Sequence, residues 1–340
     1  MVNYGFLYVP EAHSNRVSVI DCQKGCIIDS ININDINTLP FGSRPAVLAS
    51  TADGKKIYSD NFGVIPPTIS CIDTATNTVK SIIISGVPLG MSISKDDKEI
   101  YIPLGDRTVE VFSTRNNDLM RKLTFHDVPV AAFSGIGNEL YVSFASGEIG
   151  VFDRSNGTLL KPLIDTGGNL PAWFSFSKDG SKTYIAAVEK IYILDNKAWR
   201  IVDNISVSKY GDDENTPWAF TTTLSPDGNK LYVALLGASK VLVIDTMENK
   251  VINEIVTSGS ATGITFNGDG TLGYISDMGK SLSFLKGVTG GATVANAWIG
   301  FGIMGNGKII TFNPKNDEIV SDPIITSPAP GISTWIAGKI

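Results

Sequence analysis

One pattern constrains this chain more than any other: a four-strand unit that returns, in register, from one end to the other. Its clearest copy is Leu224–Asp245, LSPDGNKLYVALLGASKVLVID. The run before it, from Pro217 to Leu224, is rich in β-formers. Ser225-Pro226-Asp227-Gly228-Asn229 then supplies turn chemistry, because proline presets φ, aspartate bonds its own backbone and glycine accepts positive φ. Lys230 to Leu236 reads as a second strand, Lys240 to Ile244 as a third and Val251 to Val256 as a fourth. Four short strands joined by tight turns make one antiparallel meander.

The unit repeats at near-constant spacing. First strands open at Pro45, Pro88, Pro129, Pro171, Pro217 and about Ala261. The second strand reads LYV at Leu7, IYS at Ile57, IYI at Ile100, LYV at Leu140, TYI at Thr183, LYV at Leu231 and GYI at Gly273. The third reads VSVID at Val17, ISCID at Ile69, VEVFS at Val109, IGVFD at Ile149, IYILD at Ile191 and VLVID at Val241. A four-strand period of roughly forty residues is the signature of a propeller blade. The expected fold is all-β: a seven-bladed β-propeller of four-stranded antiparallel blades, with residues 1–340 forming one domain.

The ends of the chain predict how the ring closes. The first repeat lacks its first strand, and Pro330 to Ile340 matches the pattern that runs from Pro88 into Ile100. The C-terminal strand is therefore expected to become the inner strand of the N-terminal blade, which leaves no open seam. The last blade carries about 24 extra residues, read as an inserted hairpin at about 279–307. An abbreviated eighth blade is the alternative, since Ser281 to Leu285 also suits a third strand.

The motif P-x-x-I-A-x-S-P-D-G-x-x-L-Y-V, followed by V-x-V-I-D-x-x-T-x-x-V, resembles the YVTN family of β-propeller repeats. Leu224 to Val251 is the nearest match, with Thr51 to Val79 next. The resemblance spans nearly the whole chain and implies the fold. It implies little about activity, since such propellers include surface-layer modules, periplasmic proteins and relatives of lactonases and amine-dehydrogenase subunits.

Composition excludes some partners. Net charge is −6 over 340 residues, with no basic stripe, so nucleic acid is not an expected partner. No apolar run approaches the roughly 18 residues of a membrane span. No signal peptide is visible, so a cytoplasmic protein and an exported one starting at its mature terminus both fit. A self-closing ring is expected to be a monomer. Of three cysteines, Cys22 and Cys26 flank a turn and either form a disulfide or stay reduced; Cys71 reads as a small buried apolar residue. Nucleotide fingerprints, hydrolase elbows and metal-binding motifs are absent, so no cofactor and no metal are expected.

Function must then lie where equivalent positions differ around the ring. In YVTN-type repeats the residue three after the second-strand tyrosine is often asparagine. Here that position reads Glu11, Asn61, Leu104, Phe144, Ala187, Leu235 and Asp277. With Trp173 and Trp218 opening two blades, and Arg44, Asp60 and His13 on the other side, the funnel mouth is expected to be half apolar and half charged. A small organic ligand with one polar end needs such a mouth. The candidate ligand-binding residues are Arg44, Asn61, Leu104, His126, Phe144, Trp173, Trp218 and Leu235. Packing between blades is the bland alternative for the apolar ones. The acidic loop Asp212-Asp213-Glu214-Asn215 reads as solvated. Two functions stay open: a propeller binding a small molecule or partner in the funnel, or an enzyme of the lyase, lactonase, cyclase or isomerase type using Glu11, His13, Asp60 and Asp277 as acid–base residues.

Overall fold

Each repeat folds into the meander its sequence describes. The computed structural model describes residues 5–40, 42–212, 217–283 and 302–338. Among these are seven antiparallel sheets and no α-helix; six have four strands, and in the last blade the outermost position is shared by two short strands, Glu318–Ile319 and Ile324–Ile325, both paired with Lys308–Asn313. The fold is a seven-bladed β-propeller. Blade two shows the plan: Pro45–Ser50 innermost, then Lys56–Asn61, Thr68–Asp73 and Thr78–Ile83 outermost. The alternative of eight blades is not realised. Most of the hairpin read at about 279–307 (residues 284–301) lies outside the described residues, as does most of the acidic loop after Asp212. Among the described residues no helix is long and apolar enough to cross a membrane.

The C-terminal clasp is present. Thr334–Ala337 pairs antiparallel with Gly5–Glu11, with Phe6 opposite Ile336 and Leu7 opposite Trp335. The C-terminal segment also grips both neighbouring blades. Thr262 Oγ1 donates to the Pro330 carbonyl at 2.9 Å, and Thr265 Oγ1 to that of Ser333 at 2.9 Å. On the other side the Ile332 N–H donates to Ala46 O, and the Leu48 N–H to Ile332 O, both at 2.9 Å.

Alternation explains the core. Strands two and three lie inside each blade, so their side chains leave by both faces, and both faces meet a neighbouring blade. The tyrosines of the second-strand triplets are buried there; the Tyr101 hydroxyl donates to Glu99 of its own strand, that of Tyr274 has no oxygen or nitrogen partner among the described residues, and others reach polar groups on the next blade. Tyr58 donates to Asn117 Oδ1 at 2.7 Å and Tyr232 to Asp317 Oδ1 at 2.6 Å. A buried hydroxyl without such a partner would cost about 1–3 kcal/mol. Cys71 is buried in this core, while Cys22 and Cys26 are free thiols. Asp21 and Cys26 are the residues paired across the turn; Cys22 packs instead near Tyr274 and Trp335.

Candidate functional site

The inner strands share an irregularity that builds the site. In blades four to seven the ladder between first and second strands slips by one residue near its start. It skips Val130, Ala172, Phe220 and Thr262. A bulge re-aims the side chains beside it. Here they turn toward the axis. Val130, Ala131, Ala172, Trp173, Trp218, Ala219 and Phe220 line a central cavity of about 540 Å³, together with Val47, Leu89, Gly90 and Ile332. A second lobe of about 260 Å³ shares Val47, Leu89, Trp218, Phe220 and Ile332 with it and adds Asp60, Phe62 and Thr262. Ends of second strands and blade-to-blade linkers, such as Ala145, Val188, Val128 and Leu170, complete the wall. The cavity therefore lies at the face where ligand binding was expected.

Its chemistry differs from the expectation. Among the described residues the wall of both lobes is apolar apart from Thr262 and Asp60. The half-charged mouth is corrected, because the residues chosen three after the tyrosine leave strand two sideways, into the interblade core. Leu104 packs with Ile69, Ile84 and Met91; Phe144 with Phe125 and Phe152; Leu235 with Ile191, Val207 and Ala219. Asn61 occupies the same kind of position and donates to Thr68 Oγ1 and Ser70 Oγ of its own blade at 2.8 and 2.9 Å.

The candidate acids separate by the same geometry. Glu11 is fully buried, accepting from Arg16 Nε at 2.5 Å, from Ser18 Oγ at 2.8 Å and from the Ser327 N–H at 3.3 Å. It ties the N-terminal blade to the C-terminal segment. Asp277 is also fully buried and accepts from Ser258 N and Oγ at 2.8 and 2.6 Å and from the Gly279 N–H at 2.8 Å. Both carboxylates serve local structure, and neither lines the cavity. Glu11→Gln, which keeps shape and removes charge, should destabilise the fold by about 1–2 kcal/mol in chemical denaturation. An unchanged unfolding midpoint would mean the carboxylate is kept for another purpose.

The remaining candidates lie around the rim. Half-buried His13 packs against Gly302, where a Cβ would fall 2.6 Å from its ring. His126 bonds Glu148 Oε2 through Nε2 at 2.8 Å and lies over Phe144, ring centroids 4.6 Å apart. Arg44 is buried in the left-handed region, at φ 51°; its N–H donates to Asn15 Oδ1, and burial depresses the guanidinium pKa. None of the three lines the described cavity. Trp173 and Trp218 do, and Trp173 is held edge-on by Phe133 at 5.0 Å.

Asp60 stands apart. It is 2% exposed and lies beside a two-residue break in the inner ladder of its blade, where Ala46 and Val47 lose their partners on strand two. Those residues pair outward with Ile332 instead. Their own N–H groups need acceptors. Asp60 Oδ1 takes the Val47 N–H at 2.7 Å, and the carboxyl also accepts from Ala46. Burial pushes its pKa up to about 7, despite the two N–H groups that oppose the rise. No group of three or more His, Cys, Asp or Glu among the described residues is placed to hold a metal ion.

Besides Trp218, already a candidate from the sequence, the cavity wall draws on residues that were not expected there, and they share a plain signal. The position one after each first-strand opening reads Ala46, Leu89, Val130, Ala172, Trp218, Thr262 and Gly331, and every one lines a lobe. The recurring proline marked the ring; the tyrosine did not.

No family profile and no curated protein sequence matches this chain. Solved structures do resemble it. A functionally unknown protein from Desulfotomaculum acetoxidans DSM 771 is 16% identical over 98% of this chain and 100% of that one, with a TM-score of 0.71. Dihydro-heme d1 dehydrogenase NirN, solved in complex with DHE, is 13% identical over 97% of this chain and 74% of that one, at 0.62. Kuenenia stuttgartiensis hydrazine synthase is 16% identical over 84% and 88%, at 0.59. At such identities the likeness shows the propeller fold alone.

Proposed function

We propose that this protein binds a small organic molecule, mostly apolar and carrying a polar end, in the central cavity. The observation that carries the reading is the apolar ring raised by the inner-strand bulges, with Trp173, Trp218, Phe133 and Phe220 in its wall and, among the described residues, a single buried acid, Asp60, in the smaller lobe. The larger lobe falls within the roughly 300–1,000 Å³ of small-molecule sites, and aromatic walls with few polar groups are their usual lining. The repeat motifs alone support a YVTN-type relationship. An acid–base enzyme is less well supported, because Glu11 and Asp277 are consumed by internal hydrogen bonds and, among the described residues, Asp60 has no second titratable group in the wall.

The test is direct binding of Nile red, a neutral polarity-sensitive dye, followed by its emission. Binding should be saturable with one site per chain, and Trp173→Ala should weaken it at least about fivefold, as loss of about 1 kcal/mol of aromatic contact implies. Absence of saturable binding, or an unchanged affinity in Trp173→Ala, would sink the reading.

A further inference from the structure

The smaller lobe combines three features that point to one ligand chemistry. Asp60 is the one titratable side chain in its wall among the described residues. Phe62, Trp218 and Phe220 supply aromatic surface around the same space. Thr262, the other polar side chain in the wall, already donates its hydroxyl to the Pro330 carbonyl. The lobe thus offers a buried carboxyl and aromatic rings, and no cation among the described residues balances them from the wall. Resting on the cavity-binding reading above, we infer that the bound molecule carries a cationic amine that docks on Asp60, with its apolar body against the aromatic wall.

The physical argument is one of sign. The Asp60 carboxylate in an apolar cavity carries a desolvation penalty that its two backbone N–H donors only partly offset. A neutral ligand that fills the lobe leaves that penalty in place. A carboxylate ligand adds repulsion. An ammonium group converts the lone charge into an ion pair and recovers part of the cost, and aromatic faces within about 6 Å attract the same cation. The chain's net charge of −6 favours approach of a cation as well. What acts on the Asp60 carboxyl is burial first, opposed by the Val47 and Ala46 N–H groups; no charged side chain among the described residues contributes. Its affinity for a proton, raised to about 7, is what such an unbalanced site produces.

The experiment is displacement of Nile red at pH 8 by three probes of matched body: 2-phenylethylamine, 2-phenylethanol and 3-phenylpropanoate. The amine should displace the dye at a concentration at least about tenfold below that of the alcohol, and the carboxylate should be weakest. In Asp60→Asn the ratio of amine to alcohol should fall to within about threefold, whatever dye affinity that variant keeps. In the unmodified protein the amine preference should shrink between pH 8 and pH 5, as Asp60 takes up its proton, while the alcohol stays level. Equal competition by amine and alcohol at pH 8, or a preference that survives both Asp60→Asn and the drop in pH, overturns the amine assignment and leaves the cavity reading standing. Failure of Nile red to bind removes the cavity reading and this inference with it.

Discussion

Truncation after Pro330 will lower the thermal midpoint by about 7 °C or more, or leave the chain unable to fold. The deleted segment supplies the whole inner strand of the first blade. Without Thr334–Ala337 the Gly5–Glu11 strand becomes an open edge facing the axis. Thr265 loses its acceptor at Ser333, and Ala46 and Leu48 lose their exchange with Ile332. Ile332, Trp335 and Ile336 leave apolar surroundings, each worth roughly 1.5–3 kcal/mol of burial, so the total is about 5 kcal/mol or more. An unfolding entropy of about 2.1 cal/mol/K per residue is about 0.7 kcal/mol/K for 340 residues, so each kcal/mol is worth about 1.4 °C and the total about 7 °C or more. Gly331→Val gives a milder version, since a Cβ there would fall 1.9 Å from the Ala46 carbonyl oxygen. Melting followed by circular dichroism decides the point: a shift under about 3 °C on truncation would mean the ring closes by other contacts.

Why the closure was legible in the sequence and the cavity was not follows from what a repeat encodes. The triplets around Tyr58, Tyr101, Tyr141 and Tyr232 record strand periodicity, and strand periodicity determines how blades stack. A first blade short of one strand, and a spare strand after Pro330, then leave one way to close. The cavity depends on a local exception to that periodicity. A bulge shifts side-chain parity by one residue, so alternation read from strand two misplaces what strand one presents. Leu104, Phe144 and Leu235 were expected at the mouth and lie between blades. Trp173 and Trp218 were found because they sit beside the recurring proline, where the bulges fall. Asp60 was picked for its charge, but its task could not be read from neighbours in sequence: the N–H groups it holds belong to Ala46 and Val47, freed by pairing with Ile332 from the far end of the chain.

The same geometry makes Asp60 a measurable burden on the fold. Its folded pKa of about 7 lies above the roughly 3.9 of an exposed aspartate. A group with this raised value binds its proton more tightly folded than unfolded, so between those two pH values the folded state holds the extra proton and stability falls as pH rises. The contribution is intact below about pH 4, declines through the interval and is flat above about 7. At 1.36 kcal/mol per pKa unit the loss across the whole interval is about 4 kcal/mol. The turn carboxylates Asp53 and Asp179, each held at about 2 mainly by local hydrogen bonds, act in the opposite sense and only under more acid conditions. Between pH 5 and 8 Asp60 therefore dominates this comparison. Asp60→Asn removes the titration while keeping an acceptor for Val47. Its stability relative to the unmodified chain should rise by about 3 kcal/mol from pH 5 to pH 8, read as diverging urea midpoints. Curves that stay parallel over that range would mean that the carboxyl is ionised in the folded protein without penalty, through a cation or water that reaches it inside the ring.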